Sequence, residues 1–165
     1  MEVLRGRIAL IQLPWSEDAV ADRALEPDDF ICFAVYSTGH AFSRVYKPLL
    51  EKLEVTYPQY LVLVALWAKD DQTVGSLGEM LFLESSTLTP LLKRLERLGF
   101  LTRNRDPEDE RQVRIRLTEK GSALRSIARD FPACVDGATG LAGDALQKLR
   151  NDIRAVRAAL HKAAG

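Results

Sequence analysis

The chain has 165 residues, about half of them apolar and about a quarter charged, which suits one soluble domain, or one domain with dimerisation arms. Its 23 basic and 23 acidic residues balance, which excludes indiscriminate nucleic-acid binding but leaves room for a local basic patch. Cys32 and Cys134 stand far apart, and His40 and His161 stand alone; no metal centre, cofactor site or disulfide scaffold is expected, and a reducing cytosol is the expected compartment.

Residues 1–26 show no sustained period and read as an N-terminal arm. Arg5 and Arg7 precede Ile8-Ala9-Leu10-Ile11, and Ala19-Val20-Ala21 resembles a cleavage site. The apolar run is short, however, and Gln12 and Pro14 interrupt it, against a secretory leader. No apolar run reaches transmembrane length. Pro27, Asp28 and Asp29 supply helix-start chemistry. Apolar residues at Ile31, Val35, Phe42, Val45 and Leu49 predict an amphipathic helix from about 29 to 50. Thr56 and Gln59 form a capping box with Pro58 in the first turn. The following helix, to about Lys69, is apolar nearly all round and predicts a central buried element. Thr73 caps a short helix through Leu81.

A turn near Glu84 leads to a helix over 86–98, with Leu88, Leu91, Leu92, Leu95 and Leu98 at helical spacing and Gly99 just past its end. The period then changes to two. Val113, Ile115 and Leu117 alternate with Arg114 and Arg116 in a half-buried strand that residues 100–104 can pair with, around a polar loop from Arg105 to Arg111. Thr118 caps a helix to about Arg129. Pro132, Gly137, Gly140 and Gly143 break up the next segment. A last helix, Asp144 to Lys162, carries Leu146, Leu149, Ile153, Val156 and Leu160 in a narrow heptad-like seam suited to another helix. The predicted fold is mainly α: a winged helix-turn-helix with a two-stranded wing over about 100–118 and dimerisation helices over about 29–50 and 119–163.

Charge is concentrated where this order places the reading head. Residues 85–116 hold eight basic and five acidic residues, an excess of three positive charges; residues 1–30 hold three basic and seven acidic. Ser85, Ser86, Thr87, Thr89, Lys93 and Arg94 lie towards the start of the 86–98 helix, the end that enters a major groove in helix-turn-helix proteins and that favours phosphate. Arg103, Arg105 and Arg111 lie on or beside the hairpin loop, where a wing can press arginine into a minor groove. The plainer alternatives are helix capping for Ser85, Ser86 and Thr87, one of which is expected to do only that, and a solvated face for the arginines, with a salt bridge from Asp109 or Asp106 inside the wing.

Cys32 falls in the first turn of its helix, where aligned N–H groups favour a thiolate. Asp28 and Asp29 oppose this, and the neighbours Ile31, Phe33 and Ala34 are apolar. Local sequence therefore favours a buried, inert cysteine, and the same holds for Cys134 beside Pro132 and Ala133.

From Cys32 to about Leu160 the chain resembles the MarR family, in its organic-hydroperoxide-sensing OhrR branch. The residues that carry the resemblance are Cys32-Phe33-Ala34-Val35-Tyr36, Tyr46-Lys47-Pro48-Leu49-Leu50, Thr56-Tyr57-Pro58-Gln59-Tyr60, Leu88-Thr89-Pro90-Leu91-Leu92-Lys93-Arg94 and Asp109-Glu110-Arg111. The last two are common across MarR-like chains; the first, combined with Tyr57-Pro58-Gln59-Tyr60, is specific to the branch. The resemblance implies a homodimer on a pseudo-palindromic double-stranded operator, with an organic hydroperoxide as inducer and no membrane. It makes Cys32 the peroxidatic thiol and Tyr46 and Tyr57 donors to its sulfur, and it places Cys134 where two-cysteine members hold a resolving thiol; the alternative is a one-cysteine mechanism, in which Cys32 pairs with a small cellular thiol and Cys134 is only packed. The rival readings are a repressor of the same fold switched by a non-covalent ligand such as a phenolic, and a thiol peroxidase. The latter lacks a compact Thr/Arg environment and leaves the basic wing unexplained.

Overall fold

The computed structural model describes residues 26–164; the expected arm, Glu26 apart, lies outside the described residues. These residues divide into two units. One runs up to Thr38 and resumes at Gly140; the other is Gly39–Thr139.

The larger unit is built around one apolar core. Helix α1, Ile31–Glu51, enters it with its second half. Helix α2, Tyr57–Ala68, buries Tyr60, Val62, Leu63, Ala65 and Leu66, as its nearly all-apolar sequence predicts. Its start carries the expected capping box of Thr56 and Gln59, in which the Thr56 N–H donates to Gln59 Oε1 at 2.9 Å. Strand β1, Gln72–Thr73, leads into helix α3, Val74–Leu81. Here the Thr73 hydroxyl accepts from Ser76 N at 3.1 Å, a complete N-cap. Helix α4, Ser85–Arg97, buries Leu88, Leu92 and Leu95, and Gly99 follows with φ of 75°, the left-handed geometry that ends a helix.

Strands β2, Leu101–Arg105, and β3, Val113–Leu117, form the hairpin, with Leu101 opposite Leu117 and Arg105 opposite Val113. The expected two-stranded sheet has a third member. Strand β1 pairs antiparallel with β3, Gln72 opposite Ile115, giving the order β1-β3-β2. Two residues show no alternation, so nothing local marks β1 as a strand.

Helix α5, Glu119–Ala128, is capped by Thr118, whose hydroxyl accepts from Gly121 N at 3.0 Å. The segment after it is not broken up as its Pro and Gly residues suggest. Phe131–Ala138 forms helix α6, with Phe131 and Val135 buried. Pro132 sits in its first turn, where a missing N–H costs nothing, and Gly137 is one residue from its end. Only Gly140 and Gly143, at φ of 70° and 54°, interrupt the chain before helix α7, Gly143–Ala164.

In the smaller unit the order is a 3₁₀ turn, Pro27–Asp29, then the first residues of α1, and finally α7. The aspartates expected to open the long helix thus form a separate turn before it. No residue of α7 is buried. Ile31 is 71% exposed and Leu160 is 64% exposed.

The tightest approach in the larger unit is at Gly121. A Cβ built there would lie 1.9 Å from the Phe100 carbonyl oxygen, so α5 and the start of β2 touch backbone to backbone. Gly121→Ala is expected to lose about 3 kcal/mol, since the strain falls on main chain that cannot give way. Urea unfolding checks this; a loss under about 1 kcal/mol would show that the junction is slack.

Candidate functional site

Helix α4 presents its polar face outward. Ser85, Ser86, Thr87, Lys93 and Arg94 are exposed. The expectation that one of the hydroxyls serves only as a cap is not met: Glu84 occupies the N-cap position without a side-chain bond. The Thr89 hydroxyl instead bonds back along the helix, donating to the Ser85 carbonyl at 2.7 Å. Arg105 and Arg111 are also exposed, the Arg111 side chain 96% so.

Asp109 organises the loop mainly through neutral donors. It accepts from Arg111 N at 3.1 Å and from Gln112 Nε2 at 3.1 Å, and its expected salt bridge to Arg111 is a loose 3.9 Å. Arg103 lies back towards α4, 3.6 Å from Glu96, with its side chain only 21% exposed and its Nε buried without a partner.

Sequence reasoning missed the charge cluster at the base of the wing. Arg114 Nε donates to Asp71 Oδ1 at 2.7 Å, and its Nη1 donates to Asp106 Oδ2 at 2.9 Å. Arg116 joins the same Asp71 at 3.0 Å. The alternating strand showed Arg114 and Arg116 on the polar face, and Asp106 stood out in the loop. Asp71 is 43 residues from Arg114, and no local signal marks it. Hydrogen bonds from Arg114 and then Arg116 hold the Asp71 carboxyl at about 2, and those from Arg114 and the Glu108 N–H lower that of Asp106. A lowered carboxyl stabilises the fold above its ordinary value near 3.8 and loses that contribution as pH falls through about 2.

The thiol residues divide between the units. Cys32, the second residue of α1, is exposed in a shallow groove with Pro27, Phe30, Phe33 and Tyr36. Cys134, on α6, is exposed as well. Burial, which the apolar neighbours of both suggested, is absent because those neighbours are themselves uncovered: Ile31 and Tyr36 beside Cys32, Pro132 and Ala133 beside Cys134.

Tyr46 and Tyr57 do come together. Their ring centroids are 4.7 Å apart, and Tyr60 lies 6.0 Å from Tyr46 and 6.4 Å from Tyr57. Phe131 of α6 packs on Tyr60 at 5.9 Å. Among the described residues no group of His, Cys, Asp or Glu could hold a metal ion, and no helix is long and apolar enough to cross a membrane.

The chain matches known proteins along most of its length. Residues 44–126 match the family model described as transcriptional regulator SarA/Rot. The organic hydroperoxide resistance transcriptional regulator of Bacillus subtilis is 44% identical over 132 residues, 80% of this chain and 90% of that one. The chain belongs to the MarR family, in its organic-hydroperoxide regulator branch. A second relative, the HTH-type transcriptional regulator TtmR of Methylorubrum extorquens, is 49% identical over 138 residues, 84% of this chain and 71% of its own. Among solved structures, reduced AbfR bound to DNA aligns with a TM-score of 0.68 at 33% identity, over 81% of this chain and 92% of that one; AbfR comes from Staphylococcus epidermidis. PcaV of Streptomyces coelicolor, solved with its natural ligand, aligns with a TM-score of 0.77 at 28% identity, over 84% of this chain and 99% of that one.

Burial, with the neighbouring Tyr57 and Tyr60 phenols and the Asp136 carboxylate, pushes the Tyr46 hydroxyl up to about 12; burial also raises Tyr57 and Tyr60. The fold favours neutral phenols here, so their contribution is complete below pH 10 and is lost as pH rises through about 12 for Tyr46. Spectrophotometric titration should show a late tyrosinate component that Tyr46→Phe removes. A titration complete by pH 10.5, roughly the range of free tyrosine, would contradict the packing of the cluster.

Proposed function

We propose that the protein is a homodimeric, DNA-binding transcriptional repressor of the reducing cytosol that releases its operator when an organic hydroperoxide oxidises Cys32. The observation that carries this is an exposed thiol at a helix start, in an aromatic-lined groove, on a winged helix 44% identical to the Bacillus subtilis organic hydroperoxide resistance regulator. AbfR supports it, having been solved reduced on DNA and in a disulfide form. The protein acts as a stoichiometric sensor and not as an enzyme.

The uncovered faces of α1 and α7 give the reason for a second copy. Ile31, Val35, Tyr36, Leu149, Ile153, Val156 and Leu160 are all exposed on the single chain, and burying such a seam against its symmetry mate removes apolar area from water. Two copies then carry two α4 helices and two wings to the half-sites of a pseudo-palindrome. Ser85, Ser86, Thr87, Lys93 and Arg94 face the DNA from α4, and Arg105 and Arg111 from the wing. Thr89 supports the helix start through its bond to the Ser85 carbonyl, and Arg103 contributes charge from the wing base.

The redox step balances without a cofactor. The Cys32 thiolate attacks the terminal oxygen of the hydroperoxide and the O–O bond breaks. The alkoxide leaves as an alcohol after taking a proton, and the sulfur is oxidised to a sulfenic acid. A second thiol, assigned to Cys134 of the other subunit, attacks that sulfur; water leaves and a disulfide forms. The bridge needs Cα atoms within about 7 Å; where the reduced dimer holds them further apart, closing that gap changes the spacing of its reading heads. Tyr46 and Tyr57 are assigned as the phenols that donate to the Cys32 sulfur.

Cys32→Ser should bind DNA as the wild type does and ignore cumene hydroperoxide. On a non-reducing gel, peroxide without added thiol should give a reducible dimer band that Cys134→Ser abolishes. DNA release without such a band would reassign Cys134 to packing, and release from Cys32→Ser would overturn the thiol mechanism in favour of a non-covalent ligand. Arg111→Ala should weaken binding to a palindromic duplex, selected by the reduced protein from a random pool, by about 1–3 kcal/mol with the dimer intact. Unchanged affinity in a filter-binding titration at matched salt would remove Arg111 from the interface.

A further inference from the structure

Asp70 and Asp71 belong to neither α4 nor the hairpin; they lie in the connector between α2 and β1, yet both hold strand β3. Asp70 Oδ1 accepts from Leu117 N at 2.9 Å. Asp71 takes Arg114 with its carboxylate at 2.7 Å and with its backbone carbonyl at 3.1 Å, and takes Arg116 at 3.0 Å. Arg114 then reaches on to Asp106. Asp106 closes the loop base, its N–H donating to the Gln112 carbonyl at 3.0 Å and its Oδ1 accepting from Glu108 N at 2.9 Å. A continuous run of charge-assisted hydrogen bonds thus joins the connector to the root of the loop that carries Arg105 and Arg111.

Exposed ion pairs add little to stability, so the value of this run lies in geometry. A two-stranded hairpin is marginal by itself, and a contact group is effective only when its support is rigid. The clamp also occupies two guanidiniums that would otherwise bind phosphate on any sequence.

We propose that Asp71 is a positioning residue for DNA reading: by holding Arg114 and Arg116 it sets the angle at which the wing presents Arg105 and Arg111, and it keeps two cations from indiscriminate phosphate contact. The inference rests on the reading of the wing as a DNA contact. Asp71 has φ of 56°, a conformation that Asn and Gly accept. Asp71→Asn therefore removes the charge, and Asp71→Gly the whole carboxylate arm of the clamp, leaving only the backbone carbonyl contact to Arg114, without straining the backbone.

The test uses the full-length dimer, the selected palindromic duplex and a random-sequence duplex of equal length. Both variants are expected to bind the palindrome about tenfold more weakly and the random duplex no more weakly than the wild type. In a double-mutant cycle, Arg111→Ala should cost far less in the Asp71→Asn background, because the wing no longer places Arg111. Equal losses on both duplexes with a lowered unfolding midpoint would assign Asp71 a structural role and overturn the proposal. So would an Arg111→Ala effect of the same size in both backgrounds. If Arg111→Ala has no effect even in the wild type, that contact has failed separately. Loss of palindrome binding in Asp71→Asn then supports positioning through Arg105, and no loss overturns it.

Discussion

The guanidinium of Arg114, shared between Asp71 and Asp106, is the joint on which the seating of the hairpin depends. It matches one cation with two carboxylates at 2.7 and 2.9 Å, and it ties a hairpin that is otherwise mostly solvent-facing to the helical body. Its presence changes the meaning of the local charge excess. Of the eight basic residues between 85 and 116, Arg103, Arg114 and Arg116 have acidic partners within the domain, and Arg111 a loose one at 3.9 Å, leaving a few placed cations instead of a diffuse positive field. A chain with no net charge must bind DNA by placement, because it has no long-range attraction to spend on sequence-independent contact.

A second joint lies behind α4. Thr118 Oγ1 donates to the Gly99 carbonyl at 2.6 Å, and Lys120 Nζ donates to the Leu98 carbonyl at 2.9 Å. The first turn of α5 thus supplies partners for the carbonyls that α4 leaves open at its end. Trp67 of α2 donates to the Gly121 carbonyl at 3.0 Å. Helices α2, α4 and α5 and strand β2 therefore meet within a few residues, with no Cβ between α5 and β2. Tyr60 extends the assembly to α6 through Phe131. A displacement of α6, the helix that carries Cys134, acts on packed aromatic rings and not on a loose surface.

How much of this was legible in the sequence follows from the range of each interaction. The caps at Thr73 and Thr118, the glycine after α4 and the switch to strand period are local signals, and the elements form where those residues stand. The family resemblance named Tyr46 and Tyr57 as donors to Cys32; that their rings pack on each other is a tertiary contact that no local pattern marks. Strand β1 and the Asp71 clamp were invisible because each depends on a partner about forty residues away. The helix at Phe131–Ala138 was hidden by Pro132 and Gly137, residues that usually break helices but here stand near its two ends. The exposure of Cys32 went unread for another reason: apolar neighbours predict burial only where the same chain can cover them.

Trp67 gives the second joint an optical consequence. Its indole is half-buried, hydrogen-bonded to the Gly121 carbonyl, and edge-on to Tyr60 at 6.1 Å. The wavelength at which it emits therefore depends on whether α2 and α5 remain seated together. With Trp15, the chain's other tryptophan, replaced, the protein carries a built-in fluorophore at the point where its helices converge behind α4, one that reports on the seating of α2 against α5 without a label.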